Sequence, residues 1–294
     1  MNLSNLSLEF LVLQLLNGLS LSMLLFLLAA GLSLIFGLMN VINLAHGAFY
    51  LLGAYFGFSL LNWTNSFWLA FLLAPLGVGL VGLVTEWGLL RWLYQRDHLN
   101  QVILTFGLAY VLADVMRWIW GGDPKSLPAP EPFNGFVQIL GRQFPTYRLF
   151  VIGFSLLLAL FLWLLLEKTR LGAIIRAGVS DQEMARGLGI NVGFTFTLIF
   201  SFGVALAGLA GVIAGPYQSF GPGVDFDTLI LALIVVVIGG LGTLSGAFCG
   251  AIVLGLADTF GKVFFPELAQ FVIYAVMAGV LLVRPTGLFS RSPV

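Results

Sequence analysis

Apolar residues fill long runs along this chain, and short polar breaks separate them. A helix needs about 20 apolar residues to cross a bilayer core. On that measure residues 9–38 hold a first span, 45–61 a second, 67–90 a third, 100–120 a fourth and 149–166 a fifth. Residues 192–215 hold a sixth and 267–283 the last. The region 228–261 is apolar but interrupted by GGLGTLSGA, so it reads as two short helices or one broken helix. RWLYQRDH (91–98) is a short polar loop, and 121–148 and 216–227 are turn-rich loops. The runs are continuous rather than alternating, which excludes a transmembrane β-barrel. The pattern predicts an all-α polytopic membrane protein with about 8–10 transmembrane helices, some broken or re-entrant, and about nine crossings as the working number. The whole chain, 1–294, reads as one transmembrane domain.

Composition removes the alternatives. Hydrophobic residues make up 60% of the 294 and charged residues only 9%, where a soluble domain carries about 25%. Net charge is zero, so nothing points to nucleic acid. The single cysteine, Cys249, lies in an apolar segment and reads as packing. No Lys or Arg precedes Arg91, so the first run reads as a retained helix rather than a cleaved signal. Arg91, Arg96, Lys168, Arg170, Arg176, Arg186, Arg284 and Arg291 fall on one side of the predicted spans, mostly in short loops. That face is therefore expected to be cytoplasmic. The N-terminus then lies outside, the C-terminus inside, and the number of crossings is odd.

Lipid gives apolar side chains no reason to associate, so small residues at fixed spacing mark close helix contacts. Gly203, Ala207, Gly211 and Gly215 fall four apart, as do Gly242, Gly246 and Gly250, and Gly53 and Gly57. Polar residues within the runs are few. Asn40, Asn43 and His46 follow one another at helical spacing and could share a face. They read either as a pathway or helix break, or as hydrogen bonds that fix the bundle. A faint echo relates Leu44–Phe49 to Leu244–Phe248, and paired interrupted segments of this kind point to a transport pathway. Asn40, Asn43, His46, Thr243 and Ser245 are thus the candidate pathway residues. No second His or Cys accompanies His46, so no metal is expected. Asp114 with Arg117, and Asp258 with Lys262, read as local ion pairs. Glu86 is expected to reach the interface, and Asp225 and Asp227 to sit in an outer loop facing water.

One stretch departs from all this. TRLGAIIRAGVSDQEMARGLGIN (169–191) is a charged island with helical spacing. Leu171, Ile174, Ile175, Met184 and Leu188 form apolar faces. Ser180 and Glu183 can form a capping box, and Gly189 suits a left-handed C-terminal stop. The spacing predicts helices at about 171–178 and 181–188. The island is either an interfacial helix lying on lipid or a knob for a groove in a soluble partner. Mixed signs at Arg176, Asp181, Glu183 and Arg186 favour the partner.

At these residues a resemblance enters. GLSLIFGLMNVINLAHGAFYLLGAY (31–55), T-x-x-G-x-x-x-R-A … A-x-x-x-G-I (169–190), AGLAGVIAGP (207–216), VVVIGGLGTLSGAFCGAIVLG (235–255) and RPTGLF (284–289) resemble the permeases of branched-chain amino-acid ABC importers, specifically the H-type subunit. The resemblance runs from about residue 10 to residue 290. It implies an ABC importer permease fold in the bacterial inner membrane, and a second, homologous M-type permease. It also implies two cytoplasmic ATPase subunits and a periplasmic substrate-binding protein. The segment 168–191 would be the coupling segment, and by position that role falls on Arg176, Ala177, Asp181, Glu183, Ala185, Arg186 and Gly189. No cofactor and no catalytic residue are expected. The phosphate-loop pattern is missing, since Gly261-Lys262 is followed by Val263. A urea or short-amide permease of the same architecture is an alternative within the resemblance. A stand-alone secondary carrier is another, but it would need carboxylates deep in a span, and the spacing shows none.

Overall fold

The computed structural model describes residues 7–94, 96–180 and 182–289. Among the described residues eleven α-helices dominate: α1 (Leu8–Met39), α2 (His46–Thr64), α3 (Phe67–Gly88), α4 (His98–Trp120), α5 (Thr146–Lys168), α6 (Arg170–Ser180), α7 (Gln182–Gly187), α8 (Val192–Ala214), α9 (Val224–Gly239), α10 (Leu244–Phe264) and α11 (Ala269–Val283). A two-stranded antiparallel hairpin, β1 (Phe136–Ile139) and β2 (Arg142–Pro145), closes the loop after α4. Among the described residues, seven helical segments are long and apolar enough to cross a membrane. They include α1, α3, α4, α5, α8 and α10, and the segment Pro266–Val283 that contains α11. Two other helices, α2 and α9, are not among them, and both start inside the bundle.

The first and last helices mark the two ends of the bundle. Glu9, in the first turn of α1, pairs with Arg142 of the hairpin at 3.5 Å, and Asn17 accepts from Arg148. The opposite end carries α6, α7 and the α9–α10 turn. There Ser33 Oγ donates to the Thr243 carbonyl (3.0 Å). After α11 the backbone N–H groups of Leu288 and Phe289 bond to the carbonyls of Ile238 and Gly239. The start of α1 and the segment after α11 therefore lie at opposite ends, as an odd number of crossings requires. Arg291, placed with the basic face by its sequence position, lies outside the described residues. The interrupted region 228–261 resolves into two helices, α9 and α10, and the turn between them sits at the island end.

The small-residue faces are the places where backbones touch. A Cβ on Gly53 would overlap the Gly208 backbone, and one on Gly211 the Tyr50 carbonyl. Gly37 meets Gly242, and Gly239 meets Gly246 and Gly250. These contacts seat α2 on α8, α1 on the α9–α10 turn and α9 on α10. Around them Phe26, Phe49, Tyr55 and Phe200 are fully buried.

Two helices begin in the middle of the bundle. α1 ends at Met39 because Asn40 takes a left-handed conformation (φ 53). The chain then turns back inward. Leu44 N–H donates to Thr105 Oγ1 (3.2 Å), two turns into α4 and about 10 Å from its start. His46 Nε2 lies 2.9 Å from the Leu28 carbonyl, well short of the end of α1. Thus α2 starts at depth and runs to the hairpin end. On the other side, Phe220 returns from the hairpin end to pack on Tyr55. α9 then starts where Asp225 meets Gly47 and runs to the island end. The N-termini of α2 and α9 face each other near mid-bundle, and the two helices diverge from there.

Several sequence expectations change. Asn40, Asn43 and His46 do not share a helix face, since 40–45 is not helical and only His46 belongs to α2. Asp225 is not in a water-facing loop. It lies in the first turn of α9 and is 2% exposed, while Asp227 is exposed. Glu86 does not reach the interface; it is fully buried. Asp258 and Lys262 do pair (2.6 Å). Asp114 and Arg117 do not, and both are exposed, without an ion-pair partner among the described residues.

Candidate functional site

The island folds as its spacing predicts, and tightly. Thr169 opens it: its hydroxyl donates to the Leu165 carbonyl (2.6 Å) and accepts from Gly172 N–H (3.2 Å). Gly172 sits so close to the Leu166 carbonyl that no Cβ fits. This sharp corner takes the chain out of α5 and into α6. Arg176 reaches back to the Leu166 carbonyl and lies 3.7 Å from Glu167. Its guanidinium therefore braces α6 on α5 rather than projecting outward. Ala185 is 2% exposed and anchors α7 inside. Ala177, Glu183, Arg186 and Gly189 are exposed. Asp181 and the side chain of Ser180 lie outside the described residues, and so does the expected capping box.

The C-terminal stop is visible. Ile190 N–H bonds to the Ala185 carbonyl and Gly189 N–H to the Arg186 carbonyl, both at 3.0 Å, with Gly189 at φ 83. This pair of bonds is the Schellman closure. Gly189→Ala should cost about 1–2 kcal/mol in local stability, because a Cβ in the left-handed region meets the following carbonyl. The check is faster proteolysis within α7. Gly187→Ala, at a site with open space around it, should leave the cleavage rate unchanged.

The island is linked to the bundle through α8. Asn191 caps α8, its Oδ1 accepting from Phe194 N–H (3.0 Å). Further along α8, Thr197 Oγ1 donates to Glu86 Oε2 (2.5 Å), and Tyr94 OH donates to Glu86 Oε1 (2.7 Å). Glu86 thus ties the end of α3 and the 3-10 turn Leu90–Leu93 to the base of α8. Sequence reasoning missed this link because Thr197 is far from Glu86 along the chain. Beside the island, α1, α5, α6 and α8 line a half-open apolar pocket of about 650 Å³, with Leu38, Leu165, Ile174, Phe194 and Leu198 in its walls.

The candidate pathway residues do not form one cluster. Asn40 is exposed at the end of α1, with its Nδ2 3.4 Å from His98 Nε2. Asn43 and His46 are fully buried at the start of α2. Thr243 caps α10, its Oγ1 accepting from Gly246 N–H (3.2 Å), and Ser245 follows it at the island end. What meets at depth is instead the first turns of α2 and α9, where Gly47 touches the Asp225 backbone. Among the described residues no group of acidic, His and Cys side chains could hold a metal.

The bundle, its broken helices and the projecting island now stand beside known proteins. The family model described as "Branched-chain amino acid transport system / permease component" matches residues 14–281. The chain belongs to this family. It is 30% identical to the high-affinity branched-chain amino acid transport system permease protein BraD of Pseudomonas aeruginosa, covering 96% of both chains. It is 28% identical to LivH of Escherichia coli, again over 96% of each. LivM of the same organism is 27% identical over 92% of this chain and 68% of its own length. Among solved structures, PsaBC from Streptococcus pneumoniae in complex with Fab matches with a TM-score of 0.50 at 15% identity, covering 91% of this chain and 89% of that one. That likeness concerns the fold. The family membership makes this chain a multi-pass membrane permease component.

Proposed function

We propose that the chain is the permease subunit of an ATP-driven importer for branched-chain or other neutral amino acids. The observation that carries this reading is the α6–α7 island, held to α5 by Arg176 and the Gly172 corner and presenting Glu183 and Arg186 outward, in a chain of this permease family. The reading makes the island the coupling segment, 168–191 within a single domain, facing the cytoplasm. ATP hydrolysis then belongs to partner subunits, and the chain itself is not an enzyme. The similarity to both LivH-type and LivM-type proteins supports pairing with a second, homologous permease. A binding protein would deliver substrate at the hairpin end.

Two buried carboxyls, Glu86 and Asp225, remove one sequence argument against a self-driven carrier. Family membership keeps the importer reading ahead. The test is the complete importer in vesicles, with both permeases, the ATPases and the binding protein. Reversing the island's charges with Glu183→Lys and Arg186→Glu should lower the ATPase response to liganded binding protein by roughly tenfold, as expected for misplaced charge at an interface. The complex should still purify intact. An unchanged response would remove the island from the coupling role.

A further inference from the structure

The facing starts of α2 and α9 leave an electrostatic problem that the fold does not close. Each helix N-terminus carries a partial positive charge, and here two of them point at each other inside the bundle. α9 is covered by its own residue: Asp225 Oδ1 accepts from Gly223 N–H (3.1 Å). α2 is not covered. Its cap position, Ala45, offers no side-chain acceptor, and its first turn holds no acidic residue. Gly47 and Ala48 are buried, and their N–H groups lie among those a helix cannot satisfy internally.

Unpartnered side chains stand at the same place. Asp225 Oδ2 and the Tyr55 hydroxyl are both buried and both without a hydrogen bond. Asp225 is 2% exposed and Tyr55 0%. The two do not bond each other, and Phe220, five residues before Asp225, packs on the Tyr55 ring. The Tyr55 ring is held between Trp120 (4.9 Å, stacked) and Phe220 (5.4 Å, edge-on). Side chains on a helix lean toward its N-terminus, which sends the hydroxyl toward the start of α2. Asn43 Nδ2 and His46 Nδ1, which flank that start, are also unpartnered.

A purely anionic ligand would meet Asp225, and a purely cationic one the two helix ends. A group that carries both charges a bond or two apart suits both. We propose that the junction of α2 and α9 is a transit site for the head group of an α-amino acid, with Asp225 Oδ2 and Tyr55 receiving the ammonium and the Gly47 and Ala48 N–H groups of α2 receiving the carboxylate. This rests on the importer reading and adds a substrate contact inside the permease to it.

The experiment uses the complete importer in vesicles and follows labelled leucine, or another labelled neutral amino acid, and the ATPase rate together. If the wild-type complex imports neither leucine nor another neutral amino acid on ATP, the importer reading falls, and this site with it. If it imports, Asp225→Asn should slow that uptake by roughly tenfold, the loss expected for one charged hydrogen bond. ATPase stimulation by liganded binding protein should persist, because the island is untouched. Uptake near the wild-type rate, or a proportional fall in ATPase activity, overturns the site. Should Asp225→Asn fail to assemble, Tyr55→Phe decides. It removes one hydroxyl, and it should slow uptake severalfold while leaving ATPase stimulation in place; wild-type uptake would mean that only a bridging water occupies the junction.

Discussion

Replacing Gly53 with valine should leave no properly assembled permease. On α2, Gly53 faces the carbonyl oxygen, Cα and carbonyl carbon of Gly208 on α8. These are backbone atoms, so no rotamer change can make room. Gly208 is itself pressed against Val78 of α3, so α8 cannot retreat without meeting a third helix. Overpacking of this kind costs about 3 kcal/mol or more. It also parts a contact that positions the buried start of α2. The measurement is size-exclusion profile and thermal midpoint in detergent. Gly107→Val on α4, where a side chain meets open space, should behave as wild type. A normal profile for Gly53→Val would show that α2 and α8 are not in backbone contact.

The second large effect is expected at Glu86. Glu86→Ala removes the acceptor for both Tyr94 OH and Thr197 Oγ1. Each hydroxyl left buried without a partner costs about 1–3 kcal/mol. Thr197 has the Gly193 carbonyl as a second partner (3.1 Å), so the larger share falls on Tyr94. Glu86→Gln keeps one acceptor oxygen, and Tyr94 or Thr197 can turn to accept from its amide. The thermal midpoint should therefore fall clearly for alanine and only slightly for glutamine. Because the link joins α3 to the base of α8, alanine should also weaken the ATPase response to binding protein. Equal midpoints for the two variants would show that the hydroxyls find other partners.

These links show which parts of the molecule can be read from the chain. The island was legible because charge and helical spacing coincide there, and its Gly189 stop lies where expected. The glycine faces were legible because four-residue spacing has one geometric meaning in a helix. Depth was not. GPGVDFD has the composition of a surface turn, and nothing local reveals that Phe220 and Asp225 dip back to meet Tyr55 and Gly47. The Asn40–Asn43–His46 spacing misled for a related reason. It assumes a continuous helix, and Asn40 breaks it by taking the left-handed conformation that asparagine tolerates. Glu86 lies just before the polar loop 91–98, which suggests the interface, while its partners, Thr197 and Tyr94, come from α8 and from beyond the 3-10 turn.

The tail after α11 bears on biosynthesis. Gly287, at φ 85, sits against the Gly240 backbone, and Leu288 and Phe289 bond to the last carbonyls of α9. A ribosome makes α9 well before it makes these residues. The far end of α9 must therefore wait in the membrane with open carbonyls until the stretch after α11 has emerged. That end of the bundle is completed backward along the chain, and an affinity tag or truncation placed just before Gly287 would act on a helix made dozens of residues earlier.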